Sequence, residues 1–403
     1  MVSVSKEDIE ALCKGLPPHQ PELIEFLTVP NDWLQIIKGY CLEDVIARGG
    51  SKVKILHGSP ATGKSHYLHD IRVHARKQGF FEVYLDLMLV GFHLTNSIDL
   101  YKAIAEKVDI ELLADKLTTL LLEALGYDVA DFAAFGGELT DYLCKKENSD
   151  PIAAKRDIRM AIHKIVNHLD IDFSFRKFLH MFMEAVVEKD TDFMDIARNW
   201  LRGNKIERSY KVHSSLYETL TRINARIWLY SLVELIKLMG FRGVVILLDH
   251  FEAILPKSDA KITYTLSKRN DVYELLRQLI DDLDFFRNIL ILIAGNSEIL
   301  DNEKYGLQSY HALWMRIQPG FKQDFGLNPY ADLTDANQIL LQVNSTGGLE
   351  RLQEKLHSLG MDANIYETDK SETAHPEIVN YREIVQERMK NYHRGEMDDK
   401  HYE

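Results

Sequence analysis

The apolar positions of this chain change period several times, and each change marks an element. Lys54–His57 reads as a short buried strand, and helical spacing sets in from Lys64. Gly79 marks a turn, after which Phe81-Glu-Val-Tyr-Leu-Asp86 alternates with the period of two expected of a strand. Strand, glycine-rich loop, helix and strand make one βαβ unit, a crossover that pairs its strands in parallel. Two later runs, Gly243-Val-Val-Ile-Leu-Leu-Asp249 and Asn288-Ile-Leu-Ile-Leu-Ile-Ala294, are almost continuously apolar. That is the pattern of strands buried on both faces of a parallel sheet.

Between these halves, residues 108–240 carry almost no strand signal. Helical patterns run over Glu111–Leu125, Pro151–Leu169, Phe173–Val187 and Tyr217–Met239, the last closed by Gly240. The Phe- and Met-rich stretch from Phe173 fits a helical core face better than a ligand groove. A helix over Asn96–Val108 sets Ile98, Tyr101, Ile104 and Ala105 on one face, and another spans Val272–Asp282. Ahead of the first strand, a helix beginning at Ser5 stops at Gly15-Leu-Pro-Pro18, and a second runs over Asp32–Ala47. The expectation is an α/β fold, a three-layer parallel sheet of the P-loop NTPase type. Its parts are a helical lead-in (1–50), the first half of the core (51–107), a large helical insertion (108–240), the second half of the core (241–320) and a mostly helical C-terminal domain (321–403).

Composition narrows the setting. The 403 residues suffice for about two or three domains, and no apolar stretch reaches the roughly 18 residues needed to span a bilayer. Cys13, Cys41 and Cys144 include no CxxC pair, which fits a reducing cytoplasm and neither a disulfide framework nor a zinc site. With a start that lacks a basic region followed by an apolar run, a cytoplasmic protein is expected. The net charge of −13 opposes a general coat of positive potential but leaves a local basic stripe open.

The candidate chemistry begins at Gly58-Ser59-Pro60-Ala61-Thr62-Gly63-Lys64-Ser65, which fits GxxxxGK[ST] at every fixed position. Gly58 and Gly63 let backbone N–H groups converge on phosphate oxygens, and the start of the following helix adds attraction. Lys64 is placed to reach the β- and γ-phosphates of ATP and Ser65 to hold Mg²⁺; His66 completes the expected ATP-binding stretch. A plain glycine-rich turn gives no reason for a lysine followed by a hydroxyl. His57, His66 and His69 lack a third ligand at a recognised spacing, so a metal site among them is not expected. Asp249, at the end of an apolar strand, is a second Mg²⁺ ligand on one reading and a helix cap on the other.

The order of these parts resembles the additional-strand P-loop ATPases, in particular the ATP-binding proteins of bacterial BREX phage-exclusion islands (BrxD-like). More distantly it resembles AAA+ proteins of the Orc/Cdc6 kind. The resemblance rests on GSPATGKSH, VYLDL followed by DLYKAI, NWLRGN at 199–204, GFRGVVILLDHFEAI at 240–254, RNDVYELLRQLIDD at 269–282 and SYHALWMRI at 309–317. It implies that Asn296 stands at a sensor position facing the γ-phosphate. Arg316 stands where such families carry an arginine that reaches a neighbour's nucleotide, while its spacing alone fits an ordinary surface charge or salt-bridge partner equally well, and Arg382 lies near a second sensor arginine. The family's usual Glu after the strand-ending Asp is His250 here, with Glu252 matching a second acid further on. A histidine that titrates near pH 7 is a candidate base, so a weak or partner-stimulated Mg²⁺-dependent ATPase is expected. The resemblance further implies a switch or motor in antiviral defence, with a helicase or methyltransferase as partner, DNA as a candidate partner, and assembly with itself or a related ATPase; an ATPase that loads onto or remodels DNA directly and a non-hydrolysing ATP-binding scaffold are the alternative readings.

Overall fold

The computed structural model describes residues 4–89, 92–208, 211, 215–256, 264–317, 328 and 330–359. The chain divides into two compact units, Met1–His93 with Val244–Glu403 and, separately, Leu94–Gly243. The division falls at Leu94, ahead of the helix that the sequence pattern grouped with the first half of the core.

The first unit is built on five strands: β1 (Ser51–Gly58), β2 (Phe81–Asp86), β3 (Val244–Asp249), β4 (Ile289–Asn296) and β5 (Leu333–Asp335). All pair in parallel, in the spatial order β2-β3-β4-β1-β5. β4 therefore separates β1, which leads into the glycine-rich loop, from β3, which ends in Asp249. Position in the sheet explains the residue patterns. β3 and β4 are interior and are buried along nearly their whole length, whereas β2 is an edge strand and alternates between buried and half-buried. β5 escapes a pattern search because it is three residues long. It is tied to β1 by Lys54, a buried lysine whose Nζ donates to the Ala331 carbonyl at 2.5 Å.

The lead-in is organised by one buried carboxylate. Ser5 and Asp8 form a capping box on the Lys6–Cys13 helix. Asp8 Oδ1 also accepts the N–H groups of His19 (2.6 Å) and Gln20 (3.2 Å), which folds Leu16-Pro17-Pro18 back beside that helix. The Asp32–Ala47 stretch is helical but mostly not α-helical: α-geometry covers Asp32–Gln35, π-geometry Ile36–Val45 and a 3₁₀ turn Ile46–Arg48. The fully buried positions Ile37, Cys41, Leu42 and Ile46 recur at intervals of four and five, the wider spacing that an i→i+5 helix aligns on one face. Lys38 within it pairs at 2.5 Å with the buried Asp70 of the Lys64–Lys77 helix.

The second unit is helical. Its helices include Ser97–Ala105, Ile110–Leu125, Val129–Phe135, Leu139–Glu147, Pro151–Asn167, Phe173–Glu188, Thr191–Leu201 and Ala225–Leu238. Asp109, Asp128, Asp150, Asp172 and Asp190 each accept a backbone N–H from the first turn of the helix they precede. The expected helix over Tyr217–Met239 begins only at Ala225. Ahead of it Asn224 ties off a turn, accepting from Thr221 N–H at 2.7 Å and donating to the Thr219 carbonyl at 3.0 Å.

Trp200, in the WLRG stretch, sits at the centre of this unit. Its ring stacks on Phe178 at 4.9 Å, lies 4.6 Å from Trp228 and 5.3 Å from Phe175, and its Nε1–H donates to the Glu218 carbonyl at 3.0 Å. Tyr101 donates its hydroxyl to the neighbouring Leu201 carbonyl at 2.7 Å. Removing such a ring loses both its transfer energy and its packing. Trp200→Ala is expected to cost about 3–5 kcal/mol, read as a lower midpoint in urea unfolding, whereas Trp200→Phe should recover most of the loss.

Candidate functional site

Parallel strands deliver their last residues to one edge of a sheet, and here that edge is polar. In register, Gly58 lies opposite Asn296, Asp86 opposite Asp249 and His57 opposite Asp335. A cavity of about 750 Å³ opens at this edge. Its polar lining includes Lys64, Ser65, Asp86, Asp249, His250, Glu252 and Asn296, and the lead-in contributes a wall of Leu12, Leu16, Pro17, Pro18 and His19.

The glycine-rich loop is shaped by its neighbours. A Cβ on Gly58 would stand 2.9 Å from the Ala336 Cβ and 3.3 Å from the Ala336 and Asn337 nitrogens, because the Ala336–Ser345 helix begins against the loop. Asn337 Oδ1 accepts the Ser59 N–H at 3.3 Å, and Thr62 closes the turn by donating to the Ser59 carbonyl at 3.0 Å. Pro60 and Ala61 line the cavity, with Ala61 in the left-handed region at φ +64° and Gly63 at φ +88°. Lys64 reaches back across the loop: its Nζ donates to the carbonyls of Gly58 (3.0 Å) and Ser59 (2.7 Å). Burial pushes the Lys64 pKa down, while Glu252, Asp249 and Asp335 pull it up. A half-buried cation held only by its own loop's carbonyls and a threonine hydroxyl can exchange them for the oxygens of an anion.

Facing the loop, Asp249 is 2 % exposed. It accepts the Tyr84 hydroxyl at 2.7 Å and the His250 backbone N–H at 2.8 Å. Glu252 is buried on the following 3₁₀ turn, and its Oε2 accepts the Asn296 N–H at 3.0 Å. Asn296 Oδ1 in turn accepts the Glu298 N–H at 3.1 Å, so the last residue of β4 is held once through its backbone and once through its side chain.

Two expected site residues behave differently from the sequence reading. His250 adopts φ +54° and turns its Nδ1 to Asp86 Oδ1 at 2.9 Å. That hydrogen bond, with the charges of Asp249, Asp86 and Glu252, outweighs burial and raises the His250 pKa to about 9. Held in this way the ring favours its imidazolium form at neutral pH, whereas the sequence reading expects a base titrating near pH 7. His66 lines the cavity, but its Nε2 meets Thr28 Oγ1 at 2.9 Å, and burial holds its pKa down at about 4. It joins the lead-in to the Lys64–Lys77 helix rather than presenting a charge.

Arg316 is not among the residues lining the cavity. Its Nε donates to Asp281, and its Nη1 donates to the Ala312 carbonyl at 2.6 Å. Arg382 lies outside the described residues. Sequence reasoning missed Tyr84, Asp86 and Asn337. Asp86 ends an alternating strand just as Asp249 ends an apolar one, a signal that was available; nothing local marks Asn337.

These features define an α/β protein of P-loop NTPase-like architecture, with a large helical unit between its second and third strands. Its family can be stated: residues 38–394 match the family model described as "BREX system ATP-binding protein BrxC/D", and the chain belongs to that family. No curated protein and no solved structure matches it. Among the described residues, no helix is long and apolar enough to cross a membrane.

The Asp86–His250 pair yields a direct check. Because its folded-state pKa is raised, His250 contributes stability that is fully present below its ordinary value near 6.5 and is lost as pH rises through about 9. Histidine-selective NMR titration of the nucleotide-free, magnesium-free protein should find that midpoint near 9, and Asp86→Asn should move it down toward 6.5. An unmoved midpoint would show that Asp86 is not the cause.

Proposed function

We propose that this chain is an ATP-binding, AAA+-like switch or motor subunit of a prokaryotic antiviral defence complex, coupling ATP binding and slow hydrolysis to DNA-processing partners. A helicase or a methyltransferase is the kind of partner meant. The observation that carries the reading is the convergence of Lys64, Asp249 and Asn296 on one cavity at the C-terminal edge of a parallel sheet, the place where ligands bind in open α/β folds. The strand order, with β4 inserted between the loop strand and the acid strand, supports an additional-strand core. Family membership supports ATP as the nucleotide and BREX as the setting.

In this reading the backbone of residues 58–65 wraps the phosphates, and Lys64 exchanges its own-loop carbonyls for phosphate oxygens. Leu16, Pro17 and Pro18 supply an apolar surface in the same cavity for the base. Ser65 and Asp249 would hold Mg²⁺. The fit is good: both line the cavity, Asp249 is buried with its carboxylate fixed by Tyr84, and Mg²⁺ keeps several waters and needs few protein ligands when phosphates are present. Among the described residues no group of three His, Cys, Asp or Glu stands ready to hold a metal. When bound, the ion neutralises phosphate charge. Asn296 would orient water, and Glu252, fixed by the Asn296 N–H, would be the acceptor of its proton.

His250 sets the rate. As an imidazolium it adds positive charge beside the phosphates but takes no proton, which favours slow intrinsic turnover or, as a second reading, a non-hydrolysing ATP-bound scaffold. Arg316 would act on a second molecule's site only after leaving Asp281.

Lys64→Ala should reduce ATP affinity at least roughly tenfold, through loss of a charge-assisted contact, with an unchanged circular dichroism spectrum; equal affinity by isothermal titration would sink the phosphate-cradle reading. Turnover gives a second test. A glutamate at 250 would face the Asp86 carboxylate, a like-charge contact that disfavours its ionised form. His250→Glu alone should therefore raise phosphate release little, whereas His250→Glu with Asp86→Asn should raise it clearly. Equal rates in the single and double variants would exclude Asp86 as the obstacle.

A further inference from the structure

We infer that Tyr84 is the positioning residue of the cation site: it fixes the Asp249 carboxylate in one orientation, so that the site prefers Mg²⁺ to the larger Ca²⁺. The inference rests on the reading of Ser65 and Asp249 as the residues that hold Mg²⁺, and it names the residue of this chain that gives the pair its selectivity.

An aspartate at the end of a strand can turn about two side-chain bonds. Here both turns are stopped. Asp249 Oδ1 accepts the His250 backbone N–H at 2.8 Å, and Oδ2 accepts the Tyr84 hydroxyl at 2.7 Å. A carboxylate offers about four acceptor sites, so one donor on each oxygen sets its plane and leaves room on both for a further partner. The Tyr84 oxygen, while donating to Asp249, keeps lone pairs that can accept a hydrogen bond from water. Tyr84, Asp249 and Ser65 all line the same cavity.

The ring that carries this hydroxyl is itself braced. Glu82, Tyr84 and Asp86 occupy alternate positions of β2 and so share one face of the sheet. In register Tyr84 lies opposite Leu247, two positions before Asp249, and its hydroxyl reaches forward to the end of β3. The Tyr84 ring centre is 4.5 Å from that of His69, and the Arg72 guanidinium stands 5.8 Å away. Arg72 Nε donates to Glu82 at 2.8 Å, and Glu82 also grips Arg76. His69, Arg72 and Arg76 belong to the helix that opens with Lys64 and Ser65. The element that carries one candidate ligand therefore braces the side chain that aims the other.

Fixed aim matters more to one cation than to the other. Mg²⁺ demands near-ideal octahedral geometry at about 2.0–2.1 Å, whereas Ca²⁺ accepts six to eight oxygens at about 2.3–2.6 Å in flexible arrangements. A carboxylate held in one direction suits the stricter ion, and one free to turn suits the looser. Losing a partner that orients a metal ligand typically costs roughly 10–100-fold in metal affinity. Tyr84→Phe keeps the ring and its packing and removes the hydroxyl alone.

Isothermal titration of ATP into the full chain, in EDTA and across concentrations of Mg²⁺ or Ca²⁺, reads the cation requirement without any turnover. The wild type should gain ATP affinity at lower Mg²⁺ than Ca²⁺. Tyr84→Phe should bind ATP in EDTA as the wild type does but need at least roughly tenfold more Mg²⁺ for the half-maximal gain, with a smaller shift for Ca²⁺. Because both cations are compared in one preparation, a partly unfolded variant lowers the number of sites and leaves the ratio of the two requirements unchanged. In an Asp249→Asn background the same substitution should add no further shift, since the carboxylate it aims is gone. The inference is overturned if the Mg²⁺ requirement stays put, if the Mg²⁺ and Ca²⁺ requirements rise equally, or if the shift persists without the Asp249 carboxylate. A wild type whose ATP affinity ignores both cations would instead overturn the Mg²⁺ reading and this inference with it, an outcome distinct from a cation-responsive wild type matched by Tyr84→Phe.

Discussion

The common edge at which five parallel strands end imposes the constraint that the rest of the first unit answers to. Register brings Asp86 beside Asp249 and His57 beside Asp335 whether or not their charges suit one another. Carboxylates drawn out of water are costly unless they are hydrogen-bonded or paired, and the buried Asp249 and Glu252 and the half-buried Asp86 each have a donor. Asp249 takes the Tyr84 hydroxyl, Asp86 takes His250 and the Met88 N–H at 2.8 Å, and Glu252 takes the Asn296 N–H. Lys64 answers them from the loop. The edge is thus a linked network, in which removing one member leaves its partner buried with less compensation.

The network also explains where backbone strain sits. Two non-glycine residues at the site occupy the left-handed region, Ala61 in the loop and His250 after the acid strand. Such conformations cost on the order of 1–3 kcal/mol and persist when their surroundings over-determine them. For His250 the surroundings are explicit: its N–H goes to Asp249 and its ring to Asp86, so one residue ties the ends of β2 and β3 together. Ala61 is held between a turn closed by Thr62 and the helix that begins at Lys64.

What could be read from the sequence follows from how local each signal is. The loop and the strands around it were legible because strand period, glycine placement and the Lys-Ser pair all lie within twenty residues of one another. β3 and β4 were legible because interior strands are apolar throughout, and the long helices because their buried faces repeat. β5 was lost because three half-buried residues carry no period. The Thr191–Leu201 helix was not picked out, although Phe193, Ile196, Ala197, Trp200 and Leu201 share one face opposite Asp, Arg and Asn, a periodic signal that was available. The π-geometry of Ile36–Val45 was not legible, because apolar spacings of four and five mark a helix without fixing its pitch over so few turns. The protonation of His250 depends on Asp86, 164 positions away in the chain, and no local pattern carries that distance.

Arg316 shows why a family position and a local environment must be weighed together. Its guanidinium shares Asp281 with Arg277, which also grips Glu274, and Glu274 accepts the Tyr310 hydroxyl at 2.8 Å. These donors hold the Glu274 carboxyl down at about 2, with Arg277 the largest cause. Arg277 therefore stays committed to Glu274 and Asp281 through the neutral range, and Asp281 keeps a cationic partner even without Arg316. The Arg316–Asp281 pair itself is about one-third exposed on both sides, the regime in which an ion pair contributes about 0–1 kcal/mol. Releasing Arg316 is accordingly cheap and leaves no buried charge uncompensated. In the proposed trans role Arg316 would give up Asp281 and the Ala312 carbonyl for a phosphate presented by another molecule. Such an exchange would be limited less by the ion pair it replaces than by the affinity of the second molecule for this surface.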